Sequence, residues 1–92
     1  MLFEWDPQKS IANNEKHGIE FETAKRLWSD ENRVEINAAH PVEERWILIG
    51  MKDDKLWTAI YTRRGNTIRI ISVRRSREKE VDLYDGKVIR KE

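Results

Sequence analysis

Apolar and polar positions follow two rhythms along this chain, and the change of rhythm divides it. Up to about residue 30 the spacing is helical. From about residue 33 to 75 it is that of strands, and a helical spacing then returns. Leu2-Phe3-Glu4-Trp5 reads as a short first strand. Asp6-Pro7 opens a helix, with Asp6 as N-cap and Pro7 at the first helical position. The helix runs to about His17, where Gly18 provides a left-handed stop. It is poor in apolar residues, with only Ile11 and Ala12 expected to face a core. A second helix is predicted over residues 21–29, with Phe21, Ala24, Leu27 and Trp28 as its buried stripe. Two helices packed on one sheet face follow from this pattern.

The strand rhythm predicts segments at 33–37, 44–51, 56–63 and 67–75, the first of them weak. Asp53-Asp54-Lys55 and Arg64-Gly65-Asn66 are hairpin turns, so this half is an antiparallel meander whose edge the first strand joins. Ser76 is expected to cap a last helix, with Glu78 to Glu80 in its early turns and Val81 and Tyr84 facing inward. Asp85-Gly86 is expected to end it, leaving residues 87–92 frayed. The predicted fold is α+β: an antiparallel sheet of four to five strands, two N-terminal helices packed on it, and a C-terminal helix.

Composition narrows the class. A chain of 92 residues suits one domain, spanning residues 1–92. Charged residues make up 38% and apolar residues also 38%, too polar for a membrane protein, while four tryptophans speak against disorder. Trp28 and Trp57 read as core anchors. No cysteine is present, which excludes disulfides and zinc–thiolate sites. The opening residues lack a signal-peptide pattern, and no apolar run approaches the ~20 residues needed to span a bilayer. A cytoplasmic protein without membrane contact is expected.

The net charge of +1 conceals a segregation. Arg63, Arg64, Arg69, Arg74, Arg75 and Arg77 fall in a stretch with no acidic residue, while carboxylates crowd residues 15–35 and 78–85. A basic strip on a near-neutral chain points to an anionic ligand at one site. Arginine suits that task because its planar fork grips phosphate oxygens bidentately. The bland alternative pairs these arginines with the acidic last helix. Strict alternation along 67–75 puts Ile68, Ile70, Ser72 and Arg74 on one face and Arg69, Ile71, Val73 and Arg75 on the other.

On the first helix, Lys9, Asn13, Lys16 and His17 share a polar, basic face. His17 titrates near neutrality and is a candidate acid or base; capping the helix end is the equal alternative. Glu15 is a second candidate base. His17 and His40 have no metal-ligand spacing, and no cofactor motif, Gly-rich phosphate loop or nucleophile elbow is present.

Phe3-Glu4-Trp5-Asp6, Lys9, Asn13, Lys16-His17-Gly18, Phe21 and Ala24 resemble the opening signature of the BrnT family. Arg45 with Leu48-Ile49-Gly50, Tyr61-Thr62, Arg64, Ile68-Arg69-Ile70-Ile71-Ser72, Arg74, Glu80 and Tyr84 resemble its second half. The resemblance covers nearly the whole chain, each motif weak alone and specific in combination. Val73 stands where alanine is usual, and Arg63 where an acidic residue is common. The resemblance implies a RelE-like ribonuclease fold and a type II toxin. It also implies a BrnA-like antitoxin with a ribbon-helix-helix domain, and operator DNA contacted only through the toxin–antitoxin complex. The implied reaction is metal-independent RNA cleavage by 2′-hydroxyl attack on the adjacent phosphorus. On that reading His17, with Glu15, handles protons, and Arg64 and Arg74 hold the scissile phosphate. Lys9, Lys16, Arg63, Arg69 and Arg75 position RNA, with either Arg63 or Arg64 meeting it at the hairpin. Ser72 either donates a hydrogen bond or fills a small core position. The rival reading is a degenerate toxin that binds the antitoxin and takes part in operon autoregulation without cutting.

Overall fold

The computed structural model of the chain describes residues 1–90, with side chains as far as Gly86. In chain order the elements are β1 (Leu2–Glu4), α1 (Pro7–His17), α2 (Phe21–Ala24), a 3₁₀ turn (Lys25–Ser29), β2 (Val34–Ala38), β3 (Arg45–Lys52), β4 (Lys55–Arg64), β5 (Thr67–Arg75) and α3 (Glu78–Arg90). One sheet takes the order β1-β5-β4-β3-β2. The meander from β2 to β5 is antiparallel, as expected. At its edge β1 pairs in parallel with β5, Phe3 opposite Ile68, so the sheet is mixed. No hairpin links these two strands, and the long connection between them permits the parallel direction.

The first helices and the 3₁₀ turn cover one sheet face. Phe21, Ala24, Leu27 and Trp28 pack there on Leu48, Trp57, Ala59, Tyr61, Ile70 and Val73. Trp28 is the hinge of this core: its ring meets Phe3 at 5.1 Å and Tyr61 at 5.2 Å, both edge-to-face. Burying each such large side chain contributes ~1.5–3 kcal/mol. Gly50 lets the two layers close up, since a Cβ there would lie 3.1 Å from the Leu27 carbonyl oxygen. The predicted second helix tightens after Ala24 into the 3₁₀ pitch common at short helix ends. Its buried stripe is nonetheless the expected one.

α1 is seated differently from the expectation. Ile11 and Ala12 are exposed, and the buried residue is Asn13. Its amide donates to the Ile19 carbonyl at 2.8 Å and its Oδ1 accepts the Val73 N–H at 3.0 Å. Ser10 accepts the Phe21 N–H. Polar bonds to neighbouring backbone therefore dock this helix, which a search for an apolar stripe does not find. The caps are as predicted: Asp6 accepts the Gln8 N–H, and Gly18 sits at φ 75°.

α3 departs at both ends. Its cap is Arg77, not Ser76: the Glu80 and Val81 N–H groups bond the Arg77 carbonyl, and the Glu80 carboxylate takes the Arg77 N–H at 2.7 Å. That is the reciprocal half of a capping box. The helix continues past Gly86, since one glycine costs only about 1 kcal/mol in a helix. Of the tail expected to fray, residues 87–90 are helical and Lys91 and Glu92 lie outside the described residues. α3 lies against β2 and β3, on the sheet face away from α1.

Candidate functional site

A β-bulge decides which arginines meet. On β4 and β5, Ile60 pairs with Ser72 but the next residue, Tyr61, pairs with Ile70, so Ile71 is an extra residue. Strict alternation therefore fails along β5. Ile68, Ile70 and Val73 are buried on the helical face, and the exposed Arg75 shares that face, lying over Trp57 at 5.5 Å. Arg69, Ser72 and Arg74 occupy the opposite, open face.

Register builds that open face in rows. Nearest α3, Ile49, Thr58 and Arg74 lie side by side. The next row is Ile36, Ile47, Ile60 and Ser72, all partly exposed. Beyond it come Thr62, Arg69 and Glu4, with Arg45 beside them on β3 and Arg64 at the end of β4. An apolar band is thus framed by arginines at both ends.

Arg74 makes the most hydrogen bonds of these. Its fork grips Glu80 through Nη1 at 2.7 Å and Nη2 at 2.8 Å, and Nη1 also reaches the Arg75 carbonyl at 3.3 Å. Three of its five N–H donors are thereby used. Glu80 also accepts from Thr58 at 3.1 Å, and Thr58 bonds the Ser76 hydroxyl at 2.8 Å. The Arg74 guanidinium, aided by the Arg77 N–H and against the effect of burial, holds the Glu80 carboxyl down to about 2. The pairing that the sequence offered as the bland alternative is therefore present for Arg74. Arg69 pairs with Glu4 at 2.7 Å. Arg64 is exposed and makes no ion pair with any described residue. It lies six residues from Thr58 along β4, about 20 Å, so Arg64 and Arg74 stand at opposite ends of the open face.

Arg63 points the other way. It stacks on Trp46 at 4.1 Å and approaches Glu35 at 3.6 Å, beside the Tyr61 hydroxyl that donates to the same carboxylate. Burial first, and then Glu35, push the Tyr61 phenol far above its ordinary range.

The remaining predicted residues sit on the helical layer. Lys9, Glu15 and Lys16 are exposed on α1. His17 is partly exposed at its end, in a cleft of ≈ 390 Å³ shared with Lys55, Trp57 and Arg75. The structure does not bring His17 or Glu15 to Arg64, Ser72 or Arg74. His40 turns back on its own loop, where its Nδ1 accepts the Val42 N–H. Among the described residues no three His, Asp or Glu side chains gather as a metal site, and no helix is long and apolar enough to cross a membrane.

Sequence reasoning missed Asp30 and used Glu80 only for its helix. Asp30 accepts the Met51 N–H and the Tyr84 hydroxyl, both at 2.8 Å, and the Asn32 N–H at 2.9 Å, tying the 3₁₀ turn to β3 and α3. Burial raises its pKa, but these bonds outweigh burial and hold it below the ordinary value. Nothing in the local pattern marks it except its place after a helix. For Glu80 a signal was available: its spacing from Arg77 is that of a capping box.

A mixed sheet with N-terminal helices on one face, and an open arginine-bearing face flanked by a C-terminal helix, is the RelE-like α+β arrangement. Within that class the chain belongs to the family described as the ribonuclease toxin BrnT of type II toxin–antitoxin systems, which it matches over residues 5–80. No curated protein gives a significant match.

Proposed function

We propose that this chain is a metal-independent endoribonuclease toxin that binds RNA across the open sheet face. One observation carries the reading: Arg64, Arg69, Ser72 and Arg74 share that face, with Arg64 paired to no carboxylate among the described residues. Arg74 and Ser72 lie at the scissile phosphate. Arg74 keeps two donors beyond those spent on Glu80 and Arg75 and directs them at the charge that builds as the 2′-hydroxyl attacks and the 5′-oxygen leaves. Arg64 and Arg69 hold the neighbouring backbone. His17 lies on the other side of the sheet and the Nδ1 of His40 is taken by the Val42 N–H, so water accepts the 2′-hydroxyl proton and returns one to the 5′-oxygen, and orientation and charge stabilisation supply the rate. Of the two hairpin arginines, Arg64 meets RNA and Arg63 braces Trp46 and Glu35. The antitoxin, a ribbon-helix-helix protein, covers the same face, its apolar residues on the Ile36–Ile47–Ile60 band and its acidic ones on the arginine rows.

The test is RNA cleavage by purified protein with a chelator present, comparing wild type with Arg64→Ala and Arg74→Ala. Loss of one transition-state donor is expected to cost roughly 100-fold in rate. Arg64→Ala should leave stability within about ±0.5 kcal/mol. Full activity in both variants sinks the assignment. A second reading, a module that binds the antitoxin and represses its operon without cutting, is favoured by the engagement of Arg74 with Glu80. It predicts antitoxin binding and no RNA cleavage by the wild-type chain.

A further inference from the structure

The cleft at the end of α1 lies on the other side of the sheet from the open face, and its chemistry is unspent. Lys55 and Arg75 line it, and neither forms an ion pair with any described residue. Asp53, the carboxylate at its rim, is already held by Lys52 at 2.7 Å and Arg26 at 3.5 Å. His17 adds an imidazole. The floor carries an independent mark. Trp57 is only 7% exposed, and its indole Nε1–H is buried with no acceptor among the described residues. A buried donor without a partner is costly, and a turn of the ring that opened it to an anion in the cleft would relieve it.

We propose that this cleft is a second phosphate site, occupied by a backbone phosphate of the RNA beyond the segment on the open face. Lys55 and Arg75 supply the charge, and His17 and the Trp57 indole supply neutral or charged donors. The path between the two sites is short. Arg74 and Arg75 are consecutive and face opposite sides of the sheet, so a strand leaving Arg74 passes over the end of β5 and meets Arg75. His17 is thereby a binding residue and not the acid or base of the cutting step. The inference rests on RNA being the ligand of this chain, and not on its being cut.

The test uses the full chain and a single-stranded oligonucleotide with 2′-deoxy sugars, which binds but cannot be cleaved by 2′-hydroxyl attack. The Trp57 indole N–H resonance, assigned by its loss in Trp57→Phe, is expected to shift on titration. Arg75→Ala and Lys55→Ala should each weaken binding several-fold and lower the salt slope of log K by about 1. Lys25→Ala, which removes a charge elsewhere, should leave that slope alone. Inorganic phosphate provides the control for a free-ion site. An indole that moves with inorganic phosphate but not with the oligonucleotide overturns the RNA assignment. So do unchanged affinity and slope in both cleft variants. If the oligonucleotide binds through the cleft while the wild type cleaves nothing, the cleavage reading fails and this one stands.

Discussion

At the scale of single residues, the pair Arg74–Glu80 is where structure and proposed chemistry meet. Its side chains are 20% and 16% exposed, more protected than a surface ion pair. Glu80 titrates near 2, below its ordinary value of 4.5, because Arg74 bonds its charged form. A depressed carboxylate stabilises the fold above its ordinary pKa, and that contribution is lost as pH falls through the folded value. The gap in Tm between wild type and Glu80→Gln should therefore be wide at pH 7 and narrow steadily from about pH 4.5 to 2. A gap that does not change with pH would mean that the pair adds nothing to stability. The alkaline side has a counterpart in Tyr84, which burial and Asp30 raise to about 12. Its phenol stays protonated, and donating to Asp30, through the physiological range.

At the scale of elements, the docking of α1 separates what is visible in sequence from what is not. The caps at Asp6 and Gly18, the stripe from Phe21 to Trp28, and the turns at Asp53-Asp54 and Gly65 are written in residues with strong local preferences. Both Asp53 and Asp54 take positive φ, as a tight hairpin of this twist requires. Asn13 is different. Its role depends on Ile19 and on Val73, sixty residues away, and no periodicity encodes such a bond. Asn13→Ala should cost about 2 kcal/mol or more, since it strands a buried N–H and a buried carbonyl. Ile11→Ala should change stability by no more than about ±0.5 kcal/mol, because Ile11 is 55% exposed. Urea unfolding of the two variants checks both. If Ile11→Ala proved the costlier change, the seating of this helix would be wrong.

For the molecule as a whole, a net charge of +1 is the sum of unlike regions. The arginine strip predicted an anionic ligand, but alternation alone could not sort its members between two faces. Arg63 and Arg64 are neighbours in sequence, yet one stacks on Trp46 and the other makes no ion pair with any described residue. Only the sheet register distinguishes them. An antitoxin that covers the open face should associate with this chain at a rate that falls as ionic strength rises. Arg64→Ala should weaken that dependence, while Arg63→Ala should reduce it less and lower stability more, since Arg63 also braces Glu35. Stopped-flow association at several salt concentrations decides this, and a rate indifferent to salt would show that charge does not guide the encounter.

The extra residue Ile71 acts on β5 as an inserted letter acts on a reading frame. Everything after it changes sides: Val73 joins the buried core, and Arg74 is turned outward to the open face. If all nine residues of the strand alternated strictly, with no bulge, the two would be exchanged, sending valine to the open face and an arginine into the apolar layer under α1. Deleting Ile71 should therefore remove the bulge and leave Val73 and Arg74 on their present sides, so the variant should still unfold cooperatively in urea; loss of cooperative folding would show that the bulge itself is required. The bulge, more than the identity of the residues around it, fixes which of the strand's arginines meets the open side.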